Sequence, residues 1–214
     1  MKRRWLIALV TALLAVGSAL ADSLPINQLP MYGEREKNEA MKTSDADFIA
    51  SFETKGISRE EAAKQVIPLA WSYFGKRDAA TAMSRFNQAW LLDPENGDAY
   101  HGFALVTSVR GGSPGDVERL FQLATSKSKV SPVAFVDYGR FLWTQKQLDK
   151  SLAQLNKALQ LSSTACNARS NISFVHFLKG DFCSACTWAK DAQKNGDQLE
   201  KGYLEDMCRR AGMP

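Results

Sequence analysis

Between residues 58 and 199 the apolar positions recur three and four apart, in short blocks separated by polar turns. That spacing puts one apolar stripe on each of a series of helices, and no run of alternating Val, Ile or Thr competes with it. The clearest block is 63–94, AKQVIPLAWSYFGKRDAATAMSRFNQAWLLDP. It predicts a helix carrying Val66, Leu69, Ala70 and Tyr73, then a turn at Gly75-Lys76-Arg77-Asp78. A second helix carries Ala82, Phe86 and Ala89 and stops at Asp93-Pro94. Small Ala70, Ala82 and Ala89 let the two backbones approach, and Phe86 fills the seam.

The pattern returns downstream. A second block starts near Gly97 with Tyr100, Phe103, Ala104 and Thr107. Its turn runs from Arg110 to Gly115, where Ser113 caps the next helix, Pro114 takes the first helical position and Asp116 favours the helix N-terminus. Val117, Phe121 and Ala124 follow. A third block starts at Pro132, with Phe135, Tyr138, Gly139 and Leu142, then Ser151, Leu155 and Ala158. A fourth starts at Cys166, with Ile172, Ser173 and His176, the turn Lys179-Gly180-Asp181, and Ala185, Ala189 and Ala192. Starts near 63, 97, 132 and 166 are steps of 34, 35 and 34 residues. Upstream, Ser58 and Glu61 form a capping box. Pro68 predicts a kink, or the true start of its helix. The stretch 34–42 reads as a short helix, and a second helix, capped by Ser44 and carrying Phe48, Ile49 and Phe52, ends at Gly56. Residues 22–33, with two prolines, read as extended chain. Either this stretch is a free N-terminus or Leu29, Met31 and Tyr32 dock on the folded body.

The order Leu69-Ala70-x-x-Tyr73, Ala82-x-x-x-Phe86-x-x-Ala89 and Pro94 resembles the tetratricopeptide repeat, with Val66 in place of the leading Trp. Tyr138-Gly139 reproduces the large-then-glycine pair of that pattern. The resemblance implies an all-α fold, a right-handed α-solenoid of about four helix-turn-helix units (63–96, 97–131, 132–165 and 166–199) in a domain over 58–214. A last helix within 200–214 would cover the open end, because a final unit otherwise exposes its apolar face. The competing architecture is a helical bundle without repeats. The resemblance also implies a partner groove lined by the first helix of each unit. Carried over position by position, the candidate groove residues include Ile67, Trp71, Phe74, His101, Leu105, Arg140, Trp143, Phe174 and Phe177. They are mostly apolar and aromatic, unlike a groove that clamps a peptide carboxylate with Lys and Arg. Such a surface suits an extended segment with hydrophobic anchors. The chain's own Leu29-Pro30-Met31-Tyr32 is one candidate occupant. Against this stands a plain alternative, in which the aromatics pack against the N-terminal helix as core.

Residues 1–21 read as a cleavable export signal. Lys2, Arg3 and Arg4 precede an apolar run, and Ala19-Leu20-Ala21 puts small residues where a signal peptidase reads them. The apolar run breaks at Gly17-Ser18, short of the ~20 residues a membrane span needs. No stable membrane anchor is therefore expected after cleavage. The net charge of +4 includes those three cations, so the mature chain stands at +1, and no nucleic-acid partner is expected. A periplasmic location follows, with secretion as the second choice.

The four cysteines lie at 166, 183, 186 and 208. Export permits disulfides. Cys186 falls on the face of its helix that meets the final helix, so Cys186–Cys208 is the first expected pair and Cys183–Cys208 the second. Cys183-Ser-Ala-Cys186 has the spacing of a redox dithiol but no βαβ context. Zinc held by His176, Cys183, Cys186 and Cys208 is a further alternative. The two histidines form no catalytic constellation, and neither cofactor nor metal is expected. The functional expectation is a non-enzymatic scaffold of the bacterial cell envelope that binds another protein or peptide segment. The alternative is a periplasmic thiol–disulfide redox protein using Cys183 and Cys186.

Overall fold

The computed structural model describes residues 24–213; the predicted leader and its cleavage point lie outside the described residues. Among the described residues there are ten α-helices and no strand, only an isolated bridge between Asn96 and Lys129. None of these helices is long and apolar enough to cross a membrane. The chain forms two compact units that divide between Lys129 and Val130.

The first unit holds α1 (Glu39–Glu53), the pair α2 (Arg59–Gly75) and α3 (Ala79–Leu92), and the pair α4 (Gly97–Val109) and α5 (Pro114–Ser126). The expected capping box starts α2: Ser58 accepts from the Glu61 amide, and Glu61 accepts from the Ser58 amide at 3.1 Å. Pro68 lies inside α2, which runs through it, so it does not mark the start of the helix. Asp78 and Ser113 cap α3 and α5 by accepting from Thr81 and Asp116 amides. The core is aromatic, with Phe86, Phe103 and Phe121 fully buried. Phe86 lies flat against the backbone of α4, so that a Cβ at Gly102 would sit 2.2 Å from its ring.

Two short 3-10 turns, Ile26–Gln28 and Pro30–Glu34, form a strap that docks on the first unit. Its receptor is Asn87, fully buried in α3. The Asn87 amide donates to the carbonyls of Asn27 and Leu29 at 2.9 and 2.8 Å and accepts from the Tyr32 amide at 3.2 Å. Ser84 donates to the same Asn27 carbonyl, and Arg110 donates to Gln28 O at 2.7 Å. Met31, Tyr32, Gly33 and Glu34 all have φ between 52° and 69°. Four consecutive residues of this hand, three of them not glycine, are costly for L-residues, and the Asn87 bonds to Asn27, Leu29 and Tyr32 fasten the strap around them. The strap is thus fixed to α3 through its Asn87 side, not laid across Trp71 and Phe74. Tyr32 is buried, with the Lys37 ammonium 3.2 Å from its ring centre, and Lys37 pairs with Asp45. Burial, and then the Asp45 charge, push the Tyr32 phenol well above its ordinary pKa. Two expected helices over 34–56 prove to be one. Asn38 caps α1 by accepting from the Met41 amide, and the helix passes through Ser44.

The second unit holds α6 (Pro132–Thr144) with α7 (Leu148–Leu161), α8 (Ala168–Leu178) with α9 (Phe182–Lys194), and α10 (Tyr203–Arg210). Gly139 repeats the close approach of the first unit: a Cβ there would meet Leu155 at 2.7 Å, and Ser151 donates to its carbonyl. The turns inside the α2–α3, α6–α7 and α8–α9 hairpins each contain one left-handed residue, Arg77, Lys146 and Gly180. The last helix packs on α9 through Met207 and the Cys186–Cys208 disulfide, the pairing expected first.

Gly102→Ala is expected to cost ~1–3 kcal/mol, because Phe86 must leave its rotamer or α4 must shift, as measured by denaturant unfolding. Asn87→Ala removes the three side-chain bonds that fasten the strap to α3. It should release residues 27–35, read as loss of amide hydrogen-exchange protection there while the α4–α5 core stays protected. Lys129 first, and then Lys64, hold the Glu60 carboxyl down at about 2 from an ordinary 4.5. That contribution is therefore present above pH 4.5 and lost as pH falls toward 2. An acid titration of Glu60→Gln should show a shallower loss of stability across this window than the parent.

Candidate functional site

The sequence-predicted groove residues separate by burial. In the first unit Ile67 and His101 are 8% and 1% exposed. His101 lies 4.9 Å from the Trp71 ring and 6.1 Å from Phe121, so it is a core residue and not a surface ligand. Ile67 likewise backs the surface from below. Trp71, Phe74 and Leu105 are half-buried and do reach the surface. Trp71 is the hub of this face, with its ring edge-on to Phe74 at 5.8 Å and to Phe86 at 4.9 Å. The tryptophan is thus continuous with the core, through Phe86 of α3 rather than through the N-terminal helix.

In the second unit the aromatic row is longer. Trp143 of α6 meets Phe174 of α8 at 5.0 Å, Phe174 meets Phe177 at 5.7 Å, and Phe177 meets Phe182 at 6.3 Å. The Arg210 guanidinium covers Phe177 and Phe182 at 5.8 and 5.4 Å, closing that end. The other end is open. A cavity of about 370 Å³ lies there, lined by Arg140, Trp143, Asn171, Phe174, Glu200 and Tyr203 among others. Arg140 is exposed and holds Asp137 only loosely, at 3.7 Å. The Trp143 indole nitrogen and the Asn171 amide nitrogen are both buried and have no hydrogen-bond partner. Both groups are donors, and a buried donor without an acceptor costs ~1–3 kcal/mol. The cavity thus combines aromatic surface from Trp143 and Phe174 with a polar rim that includes Arg140 and Glu200.

One wall comes from a loop that no repeat pattern predicts. Asn167 starts α8 in the left-handed conformation without a side-chain cap of its own. Asp197, beyond the end of α9, supplies the cap instead, accepting from the Asn167 and Ser170 amides at 3.0 Å each. This anchors the 195–202 loop over the start of α8 and carries Glu200 and Tyr203 to the cavity. The Tyr203 hydroxyl lies 3.0 Å from Ser173 Oγ, which donates to the Ala185 carbonyl. Burial raises the Tyr203 phenol pKa, and the Ser173 contact opposes that. Glu200 and Tyr203 escaped the sequence reading because they lie past the last helical pair, and Asn171 because it stands beside the groove positions of its first helix rather than at one.

The cysteines resolve as well. Cys186 and Cys208 are joined, while Cys166 and Cys183 are free and exposed. His176 Nδ1 lies 3.2 Å from the Asp181 carboxylate. The four-ligand zinc alternative is thereby withdrawn, since two of its thiolates are consumed in one bond.

No protein-family model matches the chain. A human protein, tetratricopeptide repeat protein 36, is 26% identical over 133 residues, which are 61% of this chain and 63% of that protein. The match thus spans less than two thirds of that relative. Among solved structures, Pseudomonas aeruginosa pilF superposes with a TM-score of 0.64 at 21% identity, over 72% of this chain and 71% of the other. YrrB, described as a TPR protein with an unusual peptide-binding site, gives 0.52 at 17% identity, over 69% and 76%. These likenesses establish the fold. Helical pairs that follow one another from Arg59 to Lys194, with a final helix after them, give this chain the fold of the tetratricopeptide-repeat proteins it resembles.

Proposed function

We propose that this protein is a protein-interaction scaffold of the bacterial cell envelope that docks an extended peptide segment on the aromatic face of its second unit. The observation that carries this reading is the row of aromatic rings, Trp143, Phe174 and Phe177, that runs to an open cavity. An extended peptide suits such a lining. Its backbone carbonyls supply acceptors, and alternate side chains supply apolar anchors. Arg140 adds an exposed cation at the rim, while Glu200 disfavours an acidic residue beside it. The peptide-binding site attributed to YrrB supports the same mode of use for this fold. The envelope location rests on the leader-like residues 1–21.

Trp71, Phe74 and Leu105 make the weaker candidate. Trp71 is packed edge-on against the core ring of Phe86, so the first unit's aromatic face is an extension of its core.

The test is selection of a random displayed-peptide library on the purified protein. Enriched peptides should carry a large apolar or aromatic anchor, and their affinity should fall at least about tenfold, ~1.4 kcal/mol, in Trp143→Ala or Phe174→Ala. Trp71→Ala should leave them bound. Peptides that bind both second-unit variants as tightly as the parent would overturn the assignment, provided circular dichroism shows the variants folded.

A further inference from the structure

The Cys186–Cys208 bond ties α10 to α9, and a free thiol sits one helical turn away from it. Cys183 is exposed and occupies the second position of α9, while Cys186 is fully buried and Cys208 is 6% exposed. Residues three apart on a helix are neighbours, with Cβ atoms roughly 5–6 Å apart. A disulfide needs about 3.5–4.5 Å, so a small closing movement in the first turn of α9 suffices, and helix ends fray more readily than helix centres. Burial shields Cys186 from thiols approaching through solvent. A thiol on the same helix needs no approach path.

We propose that Cys183, Cys186 and Cys208 form a thiol–disulfide exchange site. The Cys183 thiol loses its proton to solvent, and its thiolate attacks Cys186 Sγ. The Cys183–Cys186 bond forms as the Cys186–Cys208 bond breaks, and the expelled Cys208 thiolate takes up a proton. One disulfide replaces another, with no net oxidation or reduction and no outside oxidant or reductant. The exchanged form keeps α10 only by non-covalent contacts: buried Met207, the Tyr203–Ser173 hydrogen bond, and Arg210 over Phe177 and Phe182. Tyr203 and Glu200 wall the second-unit cavity, so exchange converts a covalently pinned wall into a hinged one. The proposal does not rest on peptide docking; it stands on the positions of three cysteines alone.

The experiment uses protein purified without reductant and held at pH 8. Free thiols are then trapped at once by a maleimide under denaturing conditions, and the linkages are mapped by mass spectrometry without reduction. The parent should contain two populations. One has Cys183 labelled and Cys186–Cys208 intact; the other has Cys208 labelled and a Cys183–Cys186 linkage. Cys183→Ser should lose the Cys208 label, and Cys166→Ser should retain it. In Cys208→Ser, oxidised glutathione should close Cys183–Cys186. A parent protein with no Cys208 label after a day, or a Cys183→Ser variant labelled at Cys208 as strongly as the parent, would overturn the proposal.

Discussion

Two helices joined by a short turn come closest where the residue at the contact is small, and closest of all where it has no side chain. This chain has such contacts at Gly102 and at Gly139, and the consequences spread outward from both. At Gly102 the missing Cβ admits the flat of Phe86, and Phe86 in turn supports Trp71 and Phe103 at ring distances of 4.9 and 6.5 Å. At Gly139 the space admits Leu155, and the exposed carbonyl is taken by Ser151. The aromatic faces therefore do not decorate a finished scaffold. In the first unit the rings are the outer layer of the same packing that joins one hairpin to the next, which is why Trp71 belongs to core and surface at once.

Much of this was legible in the residues. The repeat spacing located the helical pairs because a stripe at 3.6-residue period and a turn every 34 or 35 residues are local signals. The capping residues Ser58 and Ser113 carried their own start marks. What local signals missed came from contacts distant in sequence. Asn87 is a polar residue in a helix whose neighbours are core, and nothing near it reveals that a strap 55 to 60 residues upstream will satisfy it. His101 fell on a groove position by register, yet it is buried because Trp71 and Phe121 close over it. Ser44 has the chemistry of a cap, but Asn38 starts the helix six residues earlier and leaves Ser44 in its interior.

The second unit shows how a degenerate repeat is completed. The fourth pair starts with Asn167 in a conformation that supplies no cap, and the deficiency is met from outside the pair by Asp197. The same loop leads into α10, whose apolar side is sealed by Met207 and a disulfide. A closing element that only shielded the end would need neither the Asp197 anchor nor Tyr203 beneath it. Here the closing element also shapes the cavity between Trp143 and Phe174, so completing the array and building a surface are one structural event.

The strap has a further consequence for how the molecule comes into being. Its bonds to Asn87 and Arg110 span 55 to 82 residues, whereas the partners within each hairpin are near in sequence. Local pairs close early, and distant ones wait. The N-terminal strap is therefore among the last segments to find its place. The left-handed turn at Met31–Glu34 has nothing to hold it until α3 and the end of α4 exist. The N-terminal segment thus acts as a late fastening, set after the helices that hold it.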